Sequence, residues 1–142
     1  MELHDDWGSQ ISTLISPAVH REMIVPFIKK LTTALHNEGM FYEQHSCGKV
    51  DTLVPNMIEA GIDTWCGQEI CDKKALVEQY GDRMKFGITY RTRDPISDEQ
   101  LHSVVDNMLN EYRDKRVWMG IGGPFTDSQN AYIADRLANQ PV

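Results

Sequence analysis

The chain has 142 residues, 41% of them hydrophobic and 25% charged, with a formal net charge of −7. This is the composition of a globular protein with room for one core, and its acidic balance argues against a phosphate-tracking nucleic-acid surface. No apolar run approaches the ~18 residues of a membrane span, and the acidic, polar opening MELHDDWGSQ is unlike a signal peptide.

The elements alternate between strand and helix. Glu2, Leu3 and His4 read as the end of a strand. Ser16-Pro17 opens a helix, with Ser as the cap and Pro in the first turn. Ile24, Phe27, Ile28, Leu31 and Leu35 then form one apolar face. Pro26 should kink or split that helix, and Gly39 should cap its end. A strand is expected from Met40 to Gln44, a short helix from Asp51 to Ala60, and a strand from Ile62 to Cys66. A helix follows from Asp72 to Tyr80, then a strand from Met84 to Thr89. Ser97-Asp98-Glu99-Gln100 is a capping box and starts a helix with Leu101, Val104, Val105, Met108, Leu109 and Tyr112 on one face. Val117 to Ile121 reads as a strand and Asn130 to Ala138 as a last helix. Met23, Met57, Met108 and Met119 are expected in the core.

Such alternation implies parallel strands and right-handed crossovers. Four to five β/α units fit in the chain, about half the eight units of a (β/α)₈ barrel. The expected organisation is a single α/β domain over residues 1–142, either a partial barrel or an open doubly wound sheet.

Several motifs occur in order: Asp5-Asp6-Trp7-Gly8-Ser9-Gln10, Ile15-Ser16-Pro17, His45-Ser46-Cys47-Gly48-Lys49-Val50, Glu59-Ala60-Gly61-Ile62-Asp63 and Tyr80-Gly81-Asp82-Arg83. Taken together, the series resembles the C-terminal half of the uroporphyrinogen decarboxylase superfamily. The resemblance implies the C-terminal part of a (β/α)₈ TIM barrel, with its site at the C-terminal ends of the strands. One branch decarboxylates uroporphyrinogen without a cofactor, in tetrapyrrole biosynthesis. The other transfers methyl groups from methylcobamides to thiols and uses zinc. The His-x-Cys-Gly stretch is similar to the methyltransferase branch, in which the His and Cys are zinc ligands, and His45 and Cys47 match them. A distant cysteine completes that set in the family. The corresponding stretch here, Val117 to Pro124, has none.

Residues i and i+2 of a strand share a face, so His45 and Cys47 can reach one metal, and zinc accepts such N and S donors. Cys66, at the end of the next strand, is the nearest third ligand, with Glu69 and Cys71 as alternatives. Against this stands a plainer reading, a strand-end Cys as a small buried hydrophobe. Asp5 and Asp6 follow a strand end and are candidates for acid/base work or for capping a loop. Gln10, in the same motif, is a substrate-binding candidate. Arg91 and Arg93 follow another strand and suit a carboxylate or phosphate. Gly120-Ile121-Gly122-Gly123 can offer backbone N–H groups to an anion or simply make a close-packed turn. Trp7, Trp65 and Trp118 can line a flat pocket or fill the core.

The functions expected are therefore a zinc-dependent corrinoid methyltransferase-type enzyme, a uroporphyrinogen decarboxylase, or a non-catalytic half-barrel fragment. A small-molecule substrate and a corrinoid protein are the partners implied by the first, and neither nucleic acid nor a membrane is expected. A half-barrel would also dimerise or complement a missing N-terminal half. Three cysteines, an odd count without secretory context, favour a cytoplasmic setting with thiols reduced or on a metal.

Overall fold

A computed structural model of the chain describes residues 1–138. Contacts divide it into two compact units that meet in sequence between Gly87 and Ile88. The first holds β1 (Glu2–His4), α1 (Pro17–Met23), α2 (Val25–Asn37), β2 (Glu43–Ser46), a 3₁₀ turn (Asp51–Leu53) leading into α3 (Val54–Glu59), β3 (Thr64–Gly67) and α4 (Lys73–Tyr80). The next strand, β4 (Lys85–Arg91), begins in the first unit and ends in the second, which adds α5 (Asp98–Glu111), β5 (Val117–Gly122) and α6 (Asp127–Ala138). The strands form one parallel five-stranded sheet in the order β1-β2-β3-β4-β5. Strand order follows chain order without reversal, whereas a doubly wound sheet reverses at its switch point. No described helix is long and apolar enough to cross a membrane.

In the first unit the expected kink is a full break. Ile24 ends α1, and α2 restarts at Val25 with Pro26 in its first turn, where the missing N–H costs nothing. The restart changes which residues face inward. Val25, Thr32 and Leu35 are buried, and the Thr32 hydroxyl donates to the Ala60 carbonyl at 2.6 Å. Phe27, about 200° round the helix from Val25, is 68% exposed, and Met23 is 60% exposed. The expectation of one continuous apolar face, and of Met23 in the core, is corrected accordingly. Met57 is fully buried, as expected.

The strand expected at Met40 starts later. The Met40 N–H closes α2 by donating to the Leu35 carbonyl, beside Gly39 at φ +71°. Tyr42 gives its N–H to the Asp63 carboxylate instead of to a neighbouring strand. Pairing then begins at Glu43, which places His45 within β2 and Cys47 one residue beyond it. The second unit has its own core of Leu101, Val105 and Ile133, with Leu109 and Ile121 packed against it. Ser97 and Gln100 make both bonds of the capping box at the start of α5.

Candidate metal centre

The site is built where β1 and β2 end. These strands pair in parallel with His4 opposite His45, so the segments leaving them run side by side. Buried polar groups on β2 hold them together. Gln44 and Ser46 occupy positions where a strand normally presents apolar side chains, and both are fully buried. The Tyr42 hydroxyl donates to Gln44 Oε1 at 2.7 Å, and Gln44 Nε2 donates to the His45 carbonyl at 2.6 Å. The Asp5 N–H donates to that same carbonyl at 3.1 Å. Ser46 Oγ accepts the Trp7 N–H at 3.0 Å, and the Lys49 N–H donates to the Ser9 carbonyl at 2.8 Å. Burial pushes the Tyr42 hydroxyl up to about 12, so it stays a donor across the working range of pH.

Two glycines allow this approach. Gly48 has φ +88°, and a Cβ built on it would lie 2.1 Å from the Gly8 carbonyl carbon. The two backbones therefore touch directly, which only glycine permits. The contact brings Asp6 beside Cys47. The Cys47 N–H donates to Asp6 Oδ1 at 3.1 Å, and Cys47 Sγ lies 3.5 Å from His45 Nε2. One ligand atom each from Asp6, His45 and Cys47 lies within 4.8 Å of the others. Such an O, N and S donor set suits zinc and leaves a fourth position for a substrate, as catalytic zinc sites do.

The electrostatics of the group follow from its contacts. The Cys47 backbone N–H, the Cys47 thiol, and the charges of His45 and His4 hold the Asp6 carboxyl below its ordinary range; slight burial opposes them. Conversely, the hydrogen bond to Asp6 pushes the Cys47 thiol up, with help from burial and from the Asp6 charge. Asp6→Asn keeps an oxygen for the Cys47 N–H and removes the charge. The thiol then titrates lower, more of it is thiolate at a given pH, and iodoacetamide should alkylate Cys47 faster than in the parent protein near neutral pH. Mass spectrometry of the Cys47 peptide over time measures this, and an unchanged or slower rate would contradict this effect of Asp6 on the thiol.

The other predicted residues are placed as follows. Cys66 lies opposite His45 in the β2–β3 register, on the same half-buried face, but it does not join the group of three. Cys71 is buried and donates to the Gly48 carbonyl at 3.4 Å, and burial pushes its thiol up to about 11. Glu69 pairs with Lys73 at 2.7 Å. Asp5 accepts the Trp7 indole N–H at 2.9 Å and orients that ring. Gln10 donates to Gln68 Oε1 at 3.3 Å, and the Gly48 N–H donates to that oxygen at 3.0 Å. Trp7 and Trp65 are 5% and 1% exposed, so they pack the interior and do not line an open pocket. Arg91, Arg93, Trp118 and the Gly120–Gly123 stretch line a separate cleft in the second unit. Sequence reasoning missed Ser46, Gln68 and the Gly8–Gly48 contact. The signal was present in Trp7-Gly8 and Cys47-Gly48, two glycines just past strand ends.

No protein-family model matches the chain, and no curated protein matches it.

Proposed function

We propose that the chain is the C-terminal part of a (β/α)₈ barrel akin to the uroporphyrinogen decarboxylase superfamily, with a zinc-dependent site of the methyltransferase type. The reaction would move a methyl group from a methylcobamide, carried by a corrinoid protein, to the sulfur of a small thiol, which loses its proton. The observation that carries this reading is the convergence of Asp6, His45 and Cys47 within 4.8 Å where two parallel strands end. The uninterrupted strand order supports the barrel. Asp6 takes the place in the ligand set for which the sequence suggested Cys66.

Zinc at this site would favour the thiolate of a bound thiol, the competent nucleophile. The chain's own residues do the preparation. Asp6 holds the Cys47 N–H, and hydrogen bonds to its carbonyl fix the backbone of His45. Cys47 must give up its thiol proton to bind a metal, so zinc uptake would release a proton and tighten as pH rises. Reduced thiols suit a cytoplasmic setting. The sheet ends at β1 and β5 leave strand edges unpaired among the described residues, which favours association with a second copy or a complementary half-barrel. Light scattering should accordingly give a mass above the 16.2 kDa of one chain; a monodisperse monomer would count against this association.

The reaction is tested by incubating zinc-loaded protein with methylcobalamin and a small thiol under anaerobic conditions. Loss of the methylcobalamin absorbance with matching formation of the thioether is expected. Zinc-loaded protein that produces no thioether with any of a panel of thiols would remove the methyltransferase reading.

A further inference from the structure

The second unit contains a cleft of about 650 Å³ that the metal reading does not use. Its construction follows from the alternation of side chains along β5. Trp118, Gly120 and Gly122 share one face, next to Thr89 and Arg91 of β4. A Cβ on Gly120 would meet the Trp118 ring at 3.2 Å and the Thr89 methyl at 3.5 Å, so the indole lies along its own strand over the glycine. A Cβ on Gly122 would meet only Arg91 Cγ, at 3.9 Å. Packing therefore does not demand a glycine at 122, and its missing side chain leaves open space beside Arg91. A glycine in a strand weakens it and often marks a place where a ligand or another backbone comes close.

The charge of the cleft is opposite to that of the chain. Arg91 and Arg93 line it and no carboxylate does, in a protein of net charge −7. Arg21, Arg83 and Arg136 are each paired with a carboxylate, whereas Arg91 and Arg93 have no such pair among the described residues. Asp94, their neighbour in sequence, has its N–H and carbonyl engaged by the Thr92 hydroxyl and does not line the cleft. Two unpaired guanidiniums present two forks, which match a dianion with three acceptor oxygens; a single carboxylate fills one fork. The volume far exceeds a bare anion and falls in the range that takes a small organic molecule.

We propose that this cleft binds a phosphorylated small molecule with a planar body, its phosphate held by Arg91 and Arg93 and its body lying against Trp118. The inference is independent of the metal site, because every residue it uses lies from Thr89 onward. Calorimetric titration with phenyl phosphate, inorganic phosphate and benzoate tests it, with EDTA present so that metal-bound phosphate is not read. Phenyl phosphate should bind more tightly than either of the others. Arg91→Gln and Arg93→Gln should each weaken it about 10-fold or more. Gly122→Val, whose Cβ would meet only Arg91 Cγ, should also weaken it while leaving the circular dichroism spectrum unchanged. The proposal is overturned if the parent protein does not bind phenyl phosphate at millimolar concentration. It is equally overturned if neither arginine variant weakens binding, or if benzoate binds as tightly as phenyl phosphate.

Discussion

Replacing Cys47 by serine should abolish zinc binding and leave the fold intact. The thiol is the softest donor of the three, and its replacement is a hydroxyl that stays protonated at neutral pH. Losing an outer-shell partner typically costs 10–100-fold in metal affinity, so losing a direct ligand should cost at least about 100-fold. The fold should survive because the segment is held by other groups. The Cys47 N–H donates to Asp6, the Trp7 N–H to Ser46, and the Lys49 N–H to Ser9, and none of these bonds involves sulfur. Isothermal titration with zinc, run beside a thermal melt of the metal-free protein, separates the two effects. If Cys47→Ser bound zinc as tightly as the parent, Cys47 would not be a ligand. If it unfolded, the thiol would have a packing role.

The second large effect is expected at Gly48. Alanine there must adopt φ near +88° and place its methyl group 2.1 Å from the Gly8 carbonyl carbon. The left-handed conformation costs roughly 1–2 kcal/mol in a non-glycine residue, and forcing an extra carbon into a packed site adds about 1–3 kcal/mol. Gly48→Ala should therefore lose about 2–5 kcal/mol of stability, measured as a lower urea midpoint. Gly8→Ala should lose less. Its nearest neighbour, at 2.6 Å, is a side-chain methyl of Val50, which can give more readily than backbone. The Gly48 variant should also bind zinc more weakly, because separating the two backbones moves Asp6 away from Cys47. Equal stability of Gly48→Ala and the parent would show that the close backbone approach does not hold the site together.

The alternation of strand and helix was legible because each helix carries its own local signals. The capping box at Ser97, Ser16-Pro17 and Gly39 all act as the sequence suggests. The start of β2 was not legible. It depends on Met40 closing the preceding helix and on Asp63 capturing Tyr42, and both are interactions with residues several positions away. The exposed side of α2 was hidden for a related reason: a helix that restarts at Val25, with Pro26 in its first turn, no longer shares its periodicity with the turn before it. At the site, His45 and Cys47 could be paired from the two-residue period of a strand alone. Asp6 could not be joined to them, because its approach depends on the contact of Gly8 with Gly48, forty residues apart in the chain. The sequence points to Cys66 as the third ligand because it ends the adjacent strand. Strand register puts it opposite His45, while Asp6 reaches the group from a loop.

The zinc content of the protein, by elemental analysis after purification without chelator or an affinity metal, tests directly whether Asp6, His45 and Cys47 hold a metal. Titration of the metal-free form in weakly buffered solution should accompany it. About one zinc per chain is expected, with release of a proton on uptake and affinity that rises with pH. Protein that carries no zinc and takes none up would contradict this expectation, and Asp6, His45 and Cys47 would then be only a hydrogen-bonded cluster joining two strand ends.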